Sequence, residues 1–156
     1  MSDAAAARVE EVNARDCEIA TQIHGVLLAA YQVEAEVIGA ADFPPLKRTV
    51  EDIATSSTRF VGRIVSDELV AIAEVDLQRD PAWLDSVAVH PDHFRRGHGR
   101  ELIEWIWRMW PDRDWGVQTS VFNAPAIQLY LSLGFRMRRR FRTECGYDMV
   151  VLRLDR

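Results

Sequence analysis

Residues Leu84–Ile106 read LDSVAVHPDHFRRGHGRELIEWI and divide into three parts. Leu84 to Val89 is a short apolar run rich in β-branched residues, the composition of a buried strand. Pro91 ends it, because proline has no N–H to give to a strand ladder. Phe94 to Arg100 then places two glycines and three arginines before a strongly apolar helix. A strand feeding a glycine loop that opens a helix is a place to hold an anion. The first turn of a helix has unpaired N–H groups and a partial positive charge, and glycine lets a ligand come close.

Two nucleotide-binding patterns fail on this loop. A P-loop needs GxxxxGK[ST], which the chain lacks. A dinucleotide fingerprint needs a small third position, but Gly97-His98-Gly99 is followed by Arg100-Glu101-Leu102. A lone GxG is also compatible with a tight structural turn.

Outward from the loop, the pattern alternates between strands and helices. Toward the N-terminus, Glu68 to Gln78 and Thr58 to Val65 read as a hairpin about Ser66-Asp67, with Asp80-Pro81 turning into the central strand. Thr49 and Asp52 form a capping-box pair for a short helix, after a stiff Phe43-Pro44-Pro45-Leu46 break. Asp16 caps a helix with apolar residues at Ile19, Ile23, Val26, Leu27, Ala30 and Tyr31, stopped by Gly39. Arg8 to Val12 reads as a first strand. Toward the C-terminus, Leu102, Ile103, Ile106, Trp107 and Trp110 mark one helix face, closed by Pro111. Gly116 to Phe122 is a strand, and Asn123-Ala124-Pro125 opens a helix stopped by Gly134. Phe135 to Phe141 and Tyr147 to Leu154 are the last strands, turning at Glu144-Cys145-Gly146.

The 156 residues are 48% hydrophobic and 28% charged, the balance of an ordinary globular domain. No apolar run reaches membrane-spanning length and MSDAAAARVEEV is no signal segment, so a cytoplasmic location is expected. Cys17 and Cys145 stand alone and far apart, which disfavours a disulfide framework or structural zinc. The net charge of −5 divides unevenly. Residues 1–90 hold 7 Lys+Arg against 16 Asp+Glu, and residues 91–156 hold 12 against 8. An acidic whole with a basic second half disfavours general nucleic-acid binding but permits a local polyanion site.

A second constellation separates the anion site from the mere turn. Asn123 to Phe135 reads NAPAIQLYLSLGF, directly after a strand. The VAVHP strand and turn, the RRGHGR loop and the N-x-x-A-x-x-L-Y-x-x-x-G-F segment together resemble the GCN5-related N-acetyltransferase (GNAT) superfamily. The resemblance is most specific from Trp83 to Phe135 and extends from Ile72 to Leu154. It implies an α/β (α+β) fold: a mixed, mostly antiparallel central sheet flanked by helices, as a single domain over residues 1–156. It also implies acetyl transfer from acetyl-CoA to a primary amine, on a small molecule, a peptide N-terminus or a lysine.

The resemblance assigns roles residue by residue. The amides of Arg95, Arg96, Gly97, His98, Gly99 and Arg100 would bind the coenzyme A pyrophosphate. Phe94 departs from the family's usual Gln or Arg. The backbone of Val87, Ala88 and Val89 would meet pantetheine, and Asn123 and Ala126 would help anchor the cofactor. Tyr130 would be the general acid that protonates the departing thiolate, a task suited to a phenol of pKa ~10. The family's usual glutamate base aligns with Trp83, which leaves Glu74, Asp85 or a water chain. Strand alternation sets Asp85 on one face with Val87 and Val89. His90 and His98 lack a metal-type spacing.

Two further features carry alternatives. Arg136, Arg138, Arg140 and Arg142 alternate along a strand, on one face, as a solvated edge or an anionic-substrate patch. One helix cannot comfortably turn Trp105, Trp107 and Trp110 all inward, so an exposed aromatic patch and a homodimer are expected. Trp83 and Phe94 also suit a non-catalytic acyl-CoA sensor of the same fold. RNA binding is disfavoured by the acidic first half and the lack of a stacking motif.

Overall fold

The computed structural model describes residues 6–156. The first five residues, part of the N-terminus expected to lack a signal segment, lie outside the described residues. In chain order the elements are β1 (Ala7–Val12), α1 (Cys17–Ile38), a 3-10 turn (Pro44–Lys47), α2 (Val50–Ala54), β2 (Arg59–Val65) and β3 (Glu68–Asp76). There follow β4 (Ala82–Val89), a second 3-10 turn (Pro91–His93), α3 (His98–Met109), β5 (Trp115–Ser120), α4 (Ala124–Ser132), β6 (Arg136–Arg142) and β7 (Asp148–Leu154).

Local chemistry explains the boundaries. Asp16 Oδ1 accepts from the N–H groups of Glu18 and Ile19 at 2.9 and 3.2 Å, and Gly39 ends α1 at φ 68°. Thr49 and Asp52 complete the reciprocal capping box of α2. Ser66 and Asp67 both take positive φ, the backbone that matches the twist of a two-residue hairpin.

The sheet runs β1-β2-β3-β4-β5-β7-β6. Every neighbouring pair is antiparallel except β4 with β5. One core cluster joins the sheet to α3 and α4 through Leu102, Ile103, Ile106, Trp115, Tyr130 and Phe135. Another lies under α1 and α2, through Ala20, Ile23, Leu27, Ile53, Phe60 and Ile72. Burying each such large side chain contributes about 1.5–3 kcal/mol. Among the described residues, no helix is long and apolar enough to cross a membrane.

Three expectations from the pattern are corrected. The β3–β4 register pairs Glu74 with Ser86 but Val75 with Leu84, so Asp85 is an extra residue in β4. This bulge breaks the alternation: Leu84 joins the same core cluster as Val87 and Val89, and Asp85 is left exposed. A second register shift, between Met137 and Arg139 in β6, removes the single arginine face. All five β6 arginines are exposed, with Arg138 paired to Asp155 and Arg142 to Asp148. The expected exposed tryptophan patch is absent, because all three rings are half-buried. Trp107 stacks on Phe135 at 6.1 Å, Trp105 meets Trp110 edge-on, and Arg59 lies over Trp110. Met109 is the large apolar residue that this helix exposes.

The β4–β5 junction is tightly packed. Trp83 lies beneath the Arg79 guanidinium, and a Cβ on Gly116 would sit 2.1 Å from the Trp83 ring. Gly116→Ala is therefore expected to cost about 1–3 kcal/mol by overpacking. Urea denaturation should show a lower midpoint with an unchanged m-value.

Candidate active site

The glycine loop opens α3 as the sequence predicts. Gly97 is the N-cap residue at φ 79°, and Arg95 also takes a positive φ of 63°. No side chain among the described residues caps the helix. Among the described residues, no acceptor takes the amides of Arg95, Arg96, Gly97, His98, Gly99 or Arg100. Six consecutive free amides at the positive end of a 12-residue helix form an anion cradle. Gly99 packs close to α4, since a Cβ there would lie 3.3 Å from the Leu129 side chain. His98 is buried, which pushes its imidazole below the ordinary range and keeps it neutral. The Arg100 guanidinium is tied to Ser132 on α4 at 2.6 Å, while Phe94 is exposed.

Beside this cradle the sheet opens. β4 and β5 pair only from Ala82–Trp115 to Leu84–Val117 and then part. Beyond Leu84 the β5-facing backbone of Val87, Ala88 and Val89 has no strand partner among the described residues, whereas β5 continues against β7. The gap is a cleft of about 370 Å³. Leu84, Asp85, Ser86 and Val87 line one side, and Val117 to Ser120 the other. Asn123, Ala126 and Tyr130 of the α4 segment also line it.

Asn123 caps α4 through its Oδ1, which accepts from Ala126 N–H at 3.4 Å. Tyr130 is 5% exposed, its ring edge-on to Phe135 at 5.5 Å. Burial, with smaller contributions from Tyr31 and Glu34, raises its pKa, so the phenol keeps its proton at neutral pH. Its hydroxyl donates to no group among the described residues, leaving that proton available to a ligand in the cleft.

The two carboxylate candidates separate. Asp85 lines the cleft, where partial burial and then the Glu74 and Asp76 charges push its pKa up to about 6. Glu74 is buried and does not line the cleft. Its oxygens accept from both Arg48 terminal nitrogens, at 2.6 and 2.7 Å, and from Thr58 Oγ1 at 2.6 Å. Burial would raise its pKa, but Arg48 and the hydroxyls hold it below the usual carboxylate range. Glu74 thus stands as a fixed ion with its lone pairs occupied. Trp83 lies outside the cleft lining.

Sequence reasoning missed much of the far wall. Tyr31 and Glu34 of α1, Phe43 to Pro45, and Thr143, Cys145 and Tyr147 around the last turn all line the cleft. Phe43 stands edge-on between Tyr31 and Tyr147, at 6.0 and 6.1 Å, and the Tyr147 hydroxyl donates to the Asp42 carbonyl. The sequence signal that could have pointed to this wall is the acidic pair Glu34 and Glu36 near the end of α1. Glu34 has its pKa raised by burial, opposed by a hydrogen bond from Asn123.

Comparisons with known proteins agree with this geometry. The acetyltransferase (GNAT) domain family matches residues 56–137. The [ribosomal protein bS18]-alanine N-acetyltransferase of Salmonella typhimurium is 31% identical over 136 residues, 81% of this chain and 88% of that protein. The UPF0157 protein YqkA of Bacillus subtilis is 30% identical over 147 residues, 94% of this chain but 43% of that protein. The chain thus spans under half the length of that relative. Among solved structures, the ribosomal-protein-S18-alanine N-acetyltransferase of Escherichia coli superposes with a TM-score of 0.74 at 21% identity, covering 96% of this chain and 93% of that one. The PaiA N-acetyltransferase of Thermoplasma acidophilum, in complex with coenzyme A, gives 0.72 at 13%, covering 94% and 98%. The chain belongs to the GNAT acetyltransferases, and the PaiA structure of the same fold holds coenzyme A. This chain's free loop amides and glycine-lined approach fit a pyrophosphate.

The Arg48–Glu74 pair makes a stability prediction. Arg48→Met leaves a buried carboxylate without its cation and should cost about 3–5 kcal/mol near neutral pH. Because the folded-state pKa of Glu74 is depressed, the pair's contribution is present above the unfolded glutamate pKa. It is lost as pH falls through the folded value. Urea melts of both proteins at about pH 7 and about pH 3 should show the gap narrowing in acid.

Proposed function

We propose that this chain acetylates the N-terminal amine of a polypeptide, by direct attack of the amine on the acetyl group of acetyl-CoA. One observation carries the reading: Tyr130 and Asp85 line one cleft where β4 and β5 part, beside the amide cradle of α3. The donor brings an activated thioester to the cleft, and the remaining steps belong to the chain's own groups.

The amides of Arg95, Arg96, Gly97, His98, Gly99 and Arg100 bind the pyrophosphate without the cost of burying an arginine. The unpaired backbone of Val87, Ala88 and Val89 completes its hydrogen bonds with the pantetheine arm, as an added strand would. Asn123 and Ala126 hold the opposite side. Asp85, with a pKa of about 6, is ionised at neutral pH yet basic enough to take a proton from the incoming ammonium. Tyr130 keeps its proton for the departing sulfur. The choice of a polypeptide N-terminus is supported by the 31% identity to a bS18-alanine N-acetyltransferase. A lysine or a small-molecule amine used in preference would overturn that choice while leaving the chemistry in place.

Thiol release from acetyl-CoA in the presence of an alanyl peptide tests the reading. Tyr130→Phe should lower kcat by about 100-fold while coenzyme A binding, measured by calorimetry, is retained. The wild-type rate should fall as pH drops below about 6, where Asp85 gains its proton. Asp85→Asn should be slow and lack that acidic limb.

A further inference from the structure

The hydrogen-bond directions around the cleft reach one step further, on the premise that the chain is an acetyltransferase. Glu74 is held ionised by Arg48, so it can only accept hydrogen bonds. Ser86 Oγ lies 3.4 Å from Glu74 Oε2 and donates to it. That leaves a Ser86 lone pair to accept the Tyr31 hydroxyl, at 2.8 Å. Tyr31 therefore has no proton to offer a ligand, only lone pairs. Tyr147 reaches the same state by another route, since its hydroxyl is committed to the Asp42 carbonyl.

Both phenols line the cleft together with the Glu34 and Asp85 carboxyls. No lysine, arginine or histidine lines it among the described residues. Four oxygen-bearing groups on one cavity, each disposed to accept and none balanced by a lining cation, match a group rich in N–H donors. They oppose any carboxylate that enters with it.

We propose that Tyr31 and Tyr147 are specificity-determining residues, and that the acceptor pocket reads a cationic amine whose neighbouring carboxylate is absent or blocked. A polypeptide N-terminus satisfies this, because its α-carboxyl is spent in a peptide bond. A free α-amino acid brings the same ammonium with an anion two bonds away, and among the described residues no cation lines the cleft to pair that anion. Phe43, wedged edge-on between the two rings, holds both phenols in place.

The test compares free alanine, alaninamide and an alanyl tripeptide amide as acceptors for the full chain. The two blocked amines should exceed free alanine in kcat/KM by about 100-fold, the scale of placing like charges together. Tyr31→Phe and Tyr147→Phe should each raise KM for the blocked amines about tenfold, with KM for acetyl-CoA unmoved. Tyr147→Phe, beside the β6–β7 turn, keeps the test available if Tyr31→Phe weakens the fold. Equal use of free alanine overturns the inference, as do tyrosine variants that move both KM values together. Thiol release with none of the three amines, while coenzyme A still binds, overturns the polypeptide N-terminus reading and this inference with it.

Discussion

The structure depends on the parting of β4 from β5 after three paired residues. A sheet that stayed zipped would have no cleft, and its helices would cover a closed surface. The bulge at Asp85 lies immediately beyond the last paired residue, Leu84. A bulge bends its strand and increases local twist, so β4 turns aside while β5 stays with β7. The opening exposes backbone groups of β4 that a strand would otherwise satisfy, and an extended ligand can complete them. One extra residue thus supplies both the space and the carboxylate that lines it.

The polar network behind the cleft is an organising device more than a source of stability. Burying Arg48 and Glu74 has a desolvation cost that their attraction only partly repays. What the pair supplies is direction. A fixed acceptor at Glu74 orders the Ser86 hydroxyl, which orders that of Tyr31, so the wall of the cleft has a defined polarity before any ligand arrives. Burial raises the Tyr31 pKa to about 12, which keeps the phenol neutral beside Glu34. The network thus links β3, β4 and α1 through Glu74, Ser86 and Tyr31.

The geometry of the α3 loop and of the α4 cap was legible because its chemistry is local. A helix N-terminus, a glycine at positive φ and an asparagine cap each depend on residues within a few positions of one another. Their spacing along the chain is their spacing in space. The acceptor half is different. Tyr31, Phe43, Ser86 and Tyr147 come from four separate segments, and nothing in the sequence around each one marks its partners. Phase errors explain the other misses. Asp85 and the β6 arginines were placed by strict alternation, and one inserted residue in each strand reverses it. The tryptophans of α3 were counted against a helix's single apolar face. Neighbours supplied by Phe135 and Arg59 gave them cover that no helical wheel contains.

By itself, then, the sequence determined the order of strands and helices, the turns between them and the anion cradle at the start of α3. Apolar periodicity, capping residues and glycine each act over one or two turns of chain, so they are written where they are used. Only the tertiary structure decided which carboxylate meets the cleft. Glu74 and Asp85 are both acidic residues on adjacent strands. Packing sets Arg48 against Glu74 and seals it as a permanent ion, while the bulge leaves Asp85 open with a raised pKa. That difference is electrostatic and depends on distances between segments far apart in the chain.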